Sequence, residues 1–339
     1  MARIAVDAMG GDHAPAVPVR GACLALDAYS HIEKLWLVGR EDDLRRELDQ
    51  LGKADDPRLE IAHADEVVDM HEGAANALRR KRRSSIAVTA EMIKTGKAQA
   101  LVSAGHTGAA VATTVVKWRC LEGVERPGIG AVLPAPRGPF LLLDAGANVD
   151  AKPRHLTHYA VMGDVYAKEI MGLETPRVGL LSVGSEDGKG NELTRGAFEH
   201  IRAIPNLNFV GNVEGHDLFE GHVDVVVCDG FVGNAVLKCC ESLATVMQDS
   251  LKEKLMATPL RKLGALLCRR AFQDMKKDSD CAESGGAPLL GVNGICIIAH
   301  GSSCETAMKN AIRVACESVE HQVNRHIITR IGALEAPNQ

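Results

Sequence analysis

Residues Arg177–Thr194 read RVGLLSVGSEDGKGNELT. The pattern predicts a buried strand over Val178–Val183, a Gly-rich polar loop over Gly184–Asn191 and a helix beginning just after it. A short apolar run that ends in glycine and opens into a helix is how α/β proteins set backbone N–H groups and a helix N-terminus at the carboxyl edge of a sheet, where anions bind. The loop therefore asks for a phosphate or a carboxylate. It is not a nucleotide loop: three residues separate Gly184 from Gly188 where Walker A has four, and Gly190 follows Lys189 where a magnesium-binding hydroxyl should stand. Glu186 and Asp187 would repel a polyphosphate. Leu193 occupies the place of the third glycine of a dinucleotide fingerprint. The competing reading is a plain glycine-rich solvent loop.

Working outward, Arg3–Asp7, Leu35–Val38 and Leu59–Ala62 read as short β-branched strands, alternating with helical stretches at Val17–Tyr29 and Glu41–Leu51. Such βαβ alternation predicts an α/β fold of three layers, α/β/α, whose sheet is largely parallel, with room for mixed pairing. Further strands are expected at Ala100–Ser103, Phe140–Leu143, Asn208–Val210, Val223–Cys228 and Ile295–Ile298, and helices at Ala74–Arg80, Ile86–Lys94, Leu156–Met171 and Glu305–Arg325. Ser84 and Ser85 suit a helix N-cap. The strands end in Asp7-x-x-Gly10-Gly11, in Ser103-Ala-Gly105-His106-Thr107, in Asp144-Ala-Gly146 and in Asp229-Gly230, and a doubly wound sheet would gather these ends along one cleft. Small residues there let a ligand approach the backbone. Close helix–sheet packing selects the same residues, and Asp229 suits either a structural cap or a site.

The chain has 339 residues, 46% hydrophobic and 24% charged, with net charge −5, so it is no general nucleic-acid binder. Its cations are concentrated at Arg79–Arg83 (RRKRR) and Arg261–Lys277. Ten cysteines include no CxxC pair, and Met1-Ala-Arg-Ile-Ala-Val leads straight into a strand, so reduced thiols in a cytoplasm are expected. No apolar run reaches the roughly 18 residues of a membrane span. One unit over 1–335 is expected, with a helical protrusion at 234–280 and a loose tail at Glu335–Gln339. Asn234–Leu255 carries an apolar stripe through Leu243, Met247 and Leu251, suited to a homodimer contact. After Pro259, Leu260–Phe272 reads as a basic amphipathic helix suited to an anionic lipid surface.

For chemistry, His300-Gly301-Ser302-Ser303 offers an imidazole and hydroxyls, but the sequence has no G-x-S-x-G elbow, no HExxH and no EF-hand loop. Glycine backbone, hydroxyls, the amides of Asn191, Asn234 and Asn293, and Lys189 together suit an anion and a developing oxyanion, with neither a metal nor a cofactor called for.

Seven stretches combine into a resemblance. Val6-Asp-Ala-Met-Gly-Gly-Asp-His-Ala-Pro15, Ser103-Ala-Gly-His-Thr-Gly-Ala109, Leu142-Leu-Asp-Ala-Gly-Ala-Asn-Val-Asp150, Gly188-Lys-Gly-Asn-Glu-Leu193, Val227-Cys-Asp-Gly-Phe-Val-Gly-Asn234, Gly285-Gly-Ala-Pro-Leu-Leu-Gly291 and Ala299-His-Gly-Ser-Ser303 strongly resemble, in order, the PlsX family of acyl-ACP:phosphate acyltransferases. One position departs, since the family usually has Asn where this chain has His106. The resemblance implies transfer of a fatty acyl group from acyl carrier protein to inorganic phosphate, giving acyl phosphate for phospholipid synthesis. It also implies a homodimer with an isocitrate-dehydrogenase-like or phosphotransacetylase-like fold, at the inner membrane surface beside the downstream acyltransferase. On this basis Lys189, His300 and Ser302 are expected to be catalytic. Asp7, Gly10, Gly11, Ser103, Gly105, His106, Thr107, Gly188, Gly190, Asn191, Asp229, Asn234 and Gly286 are expected to bind phosphate or the acyl group. The rival readings are a metal- and NAD-dependent dehydrogenase on a related fold and a non-catalytic membrane-surface scaffold.

Overall fold

The computed structural model describes residues 1–69, 72–278 and 285–335. Residues 279–280 of the expected protrusion and 336–339 of the expected tail lie outside them. Eleven strands among the described residues form one sheet. From one edge its order is β3 (Leu59–His63), β2 (Ile32–Gly39), β1 (Ala2–Asp7), β4 (Ala100–Ser103) and β11 (Ile295–Ile298). It continues through β10 (Ala287–Leu290), β5 (Gly128–Leu133), β6 (Phe140–Leu143), β9 (Val225–Val227), β7 (Val178–Leu181) and β8 (Phe209–Val213).

The first five strands are parallel to one another, as are the last four. Between these blocks the β11–β10, β10–β5 and β5–β6 pairs are all antiparallel. Three reversals leave β6, β9, β7 and β8 running opposite to β1, β2, β3, β4 and β11. The sheet is therefore mixed, and its two blocks point their carboxyl ends to opposite edges. Strand β10 joins them with four residues: Ala287 and Pro288 pair with β11, while Leu289 and Leu290 pair with β5.

Helices cover both faces, because successive side chains in these strands alternate between two apolar layers. In the first block Ile4, Val6, Leu35, Leu37 and Val102 pack with α1 (Ala16–Ala28), α2 (Glu41–Leu51) and α11 (Glu305–Glu320). Ala5, Val38, Leu101 and Ile298 face the other way, toward α4 (Ser85–Lys94) and α5 (Thr107–Trp118), with α3 (Ala74–Arg80) against α5. In the second block Leu141, Leu143, Leu180 and Val227 meet α6 (Pro153–Glu169), α7 (Glu192–Arg202) and α12 (Val323–Glu335). Leu142 and Val226 meet the start of α8 (Gly230–Met256) through Val236 and Leu237.

Beyond Gly233 no residue of α8 is buried. Thr258 then caps α9 (Pro259–Leu267), its hydroxyl accepting from the Arg261 N–H at 3.3 Å, and Pro259 sits at the helix start where its missing N–H costs nothing. The expected helix Leu260–Phe272 is in fact two, α9 and α10 (Arg269–Asp278). The expected Glu305–Arg325 helix likewise ends at Glu320, where Gln322 takes a positive φ of 51° and α12 begins anew.

Candidate active site

Strands β1, β4 and β11 are neighbours, so the loops that follow them meet. Asp12 N–H donates to the Gly301 carbonyl at 2.8 Å, tying the first loop to the third. The approach is close enough to demand glycine: a Cβ on Gly10 would stand 2.7 Å from Gly105 N, and one on Gly11 would stand 3.2 Å from the Ala104 Cβ. Gly11 also has φ +103°, a conformation that L side chains resist. Gly286, at the head of β10, lies against Ile297 and the Ile298 carbonyl at this same edge.

Beneath these loops lies a small, partly enclosed pocket with room for about one water molecule, lined on its polar side by Asp7, Ser85, Ser103, Gly105 and His106. Asp7, only 3% exposed, anchors it. Ser103 Oγ donates to Asp7 Oδ2 at 2.7 Å and accepts from Gly105 N–H at 3.0 Å, while Met9 N–H donates to Asp7 Oδ1 at 3.3 Å. Burial raises the Asp7 carboxyl above the ordinary carboxylate range, against the pull of hydrogen bonds from Ser85 and Ser103. His106 is the N-cap of α5, its Nδ1 accepting from Ala109 N–H at 3.1 Å, and Thr107 opens the helix on its exposed side. In the loop after β11, Ser302 N–H donates to His300 Nδ1 at 3.2 Å and Ser302 Oγ lies 2.8 Å from the same nitrogen. Both residues are exposed and stand just before α11.

Ser85 was not among the expected site residues. The sequence reading takes Ser84-Ser85 as a cap, whereas Ser84 Oγ donates to the Lys81 carbonyl and Ser85 reaches Asp7. The basic run lies just before it. Lys81 is paired with Glu72, and Arg83 with Asp65, whereas Arg79, Arg80 and Arg82 are exposed with no ion pair among the described residues.

The remaining expected residues lie elsewhere. Lys189 and its loop follow β7, and Asp229 and Asn234 follow β9, so both groups emerge at the opposite edge of the sheet. From β11 to β7 is five strand spacings, about 24 Å. One protomer thus does not bring Lys189 to His300 and Ser302, and the residues expected in a single cleft are divided between two edges of the sheet. At the second edge Lys189 Nζ stands 3.9 Å from Glu186 and is 54% exposed. Gly190 is obligatory there, since a Cβ would fall 2.0 Å from Thr194 Oγ1 at φ +111°. Gly188 has open space around it. Asn191 Oδ1 caps α7 through Thr194 N–H at 2.9 Å. Asp229 Oδ1 caps α8 through Phe231 and Val232 N–H, each at 3.0 Å. Asn234 is exposed beside Gly146. Asp144 is wholly buried and takes four backbone N–H groups, from Ile129, Gly146, Ala147 and Asn148, which fixes this turn while burial raises its carboxyl.

Among the described residues no three His, Cys, Asp or Glu side chains are grouped to hold a metal ion, and no helix is long and apolar enough to cross a membrane.

Comparison with known proteins agrees with this architecture. A family model described as fatty acid synthesis protein matches residues 2–326. A phosphate acyltransferase of Pelotomaculum thermopropionicum is 51% identical over 334 residues, covering 98% of this chain and 96% of that protein. Another, from Desulfitobacterium hafniense, is 53% identical over 319 residues and 94% of each chain. Among solved structures, a phosphotransacetylase from Streptococcus pyogenes has a TM-score of 0.60 at 18% identity over 94% of both chains. A branched-chain phosphotransacylase from Enterococcus faecalis has a TM-score of 0.58 at 16% identity, over 95% of this chain and 100% of that one. At such identities those two establish the fold, which is the phosphotransacetylase-like α/β/α arrangement. The matches in sequence reach further, and by them the chain belongs to the PlsX family of fatty acid synthesis proteins, the phosphate acyltransferases.

Proposed function

We propose that the chain transfers a fatty acyl group from the thioester of acyl carrier protein to inorganic phosphate and releases acyl phosphate. The observation that carries this reading is the convergence of the glycine-rich loops after β1, β4 and β11, with a small pocket beside the first two that is floored by glycine backbone and flanked by the α5 N-terminus. Phosphate near neutral pH is already anionic, so it needs placement more than a base. A phosphate oxygen attacks the thioester carbon, the C–S bond breaks, and the proton of monohydrogen phosphate ends on the departing thiol. The carbonyl oxygen becomes anionic on the way, and N–H donors at this edge stabilise it. His300, with Nδ1 occupied by Ser302, orients that carbonyl or assists the thiol through Nε2. The uncommitted Arg79, Arg80 and Arg82 steer the acidic carrier protein toward the mouth.

The reading further makes the protein a homodimer that touches anionic membrane. A helix as long as α8 with no buried residue beyond Gly233, and with Leu243 and Met247 61% and 63% exposed, needs a partner's surface. Leu260 and Leu267, 79% and 81% exposed, stand beside Arg261, Lys262, Arg269 and Arg270 at its tip, which suits shallow insertion with electrostatic attraction. If Lys189 also serves this site, the two-fold pair has to bring the second edge of one protomer to the first edge of the other.

The test is direct. Purified protein with acyl carrier thioester should consume it only when inorganic phosphate is present, and hydroxylamine should trap the acyl phosphate as hydroxamate. Consumption without phosphate, or none with it, would refute the reading.

A further inference from the structure

An open groove of about 880 Å³, lined by none of the expected site residues, runs between α6, the end of α11 and α12. That is the size of a small-molecule site, ordinarily about 300–1,000 Å³. Helix α6 packs on the second block of the sheet and α11 on the first, so the groove lies over the seam between them. Its wall is charged, and most of the charges neutralise one another. Asp164, whose side chain is 2% exposed, accepts from Lys168 Nζ at 2.8 Å and stands 3.5 Å from Arg330 Nη2. Glu169 accepts from His326 Nδ1 at 2.6 Å and lies 3.7 Å from His321 Nδ1. Glu320 faces the Met1 amine at 3.4 Å. Each of these carboxylates is thereby taken, and two guanidiniums keep free donors. Arg325 is exposed and donates to the neutral Gln322 Oε1 at 3.0 Å, with no ion pair among the described residues. Arg330 Nη2 is buried and makes no hydrogen bond among the described residues. A buried donor in that state asks for an acceptor that the chain itself does not supply.

We propose that this groove binds a small polyphosphate, whose oxygens take the free hydrogens of Arg325 and Arg330 while Lys168 adds its charge. A guanidinium fork meets a phosphate with two donors at once, and two forks on one helix select a ligand with more than one anionic group. Arg325 and Arg330 belong to α12 and Lys168 to α6, so the bound anion fastens the last helix across the seam. The inference stands apart from the acyl-transfer reading and would survive its failure.

The probe is inorganic tripolyphosphate. In calorimetry the wild type should bind one per chain with a Kd below roughly 1 mM, and binding should raise the melting temperature, because the unfolded chain has no such groove. Arg325→Glu is the clean variant: Arg325 holds no carboxylate, and an acid in the first turn of α12 suits the helix dipole, so melting temperature and acyl-transfer rate should stay at wild-type values. Its affinity for tripolyphosphate should nevertheless fall at least about tenfold, the size of one lost hydrogen bond to a charged group. Arg325→Lys, which keeps the charge, should lose less. In histidine ring spectra of the wild type, the His321 and His326 signals should move on titration. Vesicles of anionic phospholipid identify the source of the phosphates. Vesicle binding that Arg325→Glu weakens equally puts them on lipid headgroups, and vesicle binding that the variant leaves intact makes the ligand a free polyphosphate. Wild-type tripolyphosphate affinity in the folded Arg325→Glu variant, unmoved His321 and His326 signals, or no saturable binding by the wild type would each overturn the proposal.

Discussion

The sharpest consequence of the sheet's two opposed blocks concerns subunit mixing. Lys189 and His300 lie at opposite edges and five strand spacings apart, about 24 Å, which no side chain spans. If both serve the reaction, each site must take them from different protomers. Lys189→Ala and His300→Ala homodimers should then each lose at least about tenfold in rate, since every site lacks one group. A heterodimer of the two, isolated with a different affinity tag on each chain, holds one site with both groups intact and one with neither. By two-fold symmetry it should recover about half the wild-type activity, far above either parent. A site contained in a single protomer predicts no recovery, because every site would still miss one group. The assay is phosphate-dependent loss of acyl carrier thioester by the doubly purified heterodimer. A heterodimer no faster than its parents would refute the shared site, and a fully active Lys189→Ala homodimer would remove Lys189 from the chemistry.

Three other outcomes follow from the structure. Reversing Arg79, Arg80 and Arg82 to Glu should raise the KM for acyl carrier protein, more at low salt than at high; Arg83 is left alone because it holds Asp65, and a loss equal at all ionic strengths would argue against steering. Replacing Leu260 and Leu263 with Glu should abolish sedimentation with anionic vesicles while the dimer mass and activity in solution persist; a monomeric variant would make that face dimer core. Gly190→Ala should destabilise the protein by about 1–3 kcal/mol in urea titrations, since its Cβ meets Thr194 Oγ1 at 2.0 Å at a positive φ, and an unchanged midpoint would mean that the loop rearranges freely.

Much of this could be read from the chain itself. RIAVD, FLLL and RVGLL announce their strands because a strand buried on both faces reads as a continuous apolar run. The motif resemblance carried the family, which composition alone could never supply. Two strands stayed hidden. In β5, Gly128 and Gly130 dilute the apolar signal, and they are glycines for a tertiary reason: a Cβ on either would stand 2.9 Å from a leucine methyl of β6. In β10, four residues that include Pro288 look like a loop. These are the antiparallel strands, so overlooking them reverses the polarity assumed for the second block and merges two edges into one cleft. The site had the same character. Gly10, Gly11 and Gly105 were legible as small residues at sheet edges and Ser103 as a hydroxyl there, whereas Gly286 came only with the motif resemblance. That Asn191 and Asp229 are caps, and that Ser85 reaches Asp7, depends on contacts between distant segments, which local pattern does not encode.

Strand β10 also sets a schedule. Its residues, 287–290, and those of β11, 295–298, fill the gap between β4 and β5, which were made long before. On the ribosome, about 150 residues separate the end of β5 from the start of β10, roughly 8–30 s at ordinary rates of translation. Throughout that interval β4 and β5 present unpaired backbone to whatever is nearby, in the middle of the molecule and not at its fringe. The nascent chain is therefore in two unjoined pieces until almost its last fifty residues emerge. Cutting the gene short before codon 287 would remove the centre of the sheet, leaving two open-edged halves for chaperones and proteases to sort.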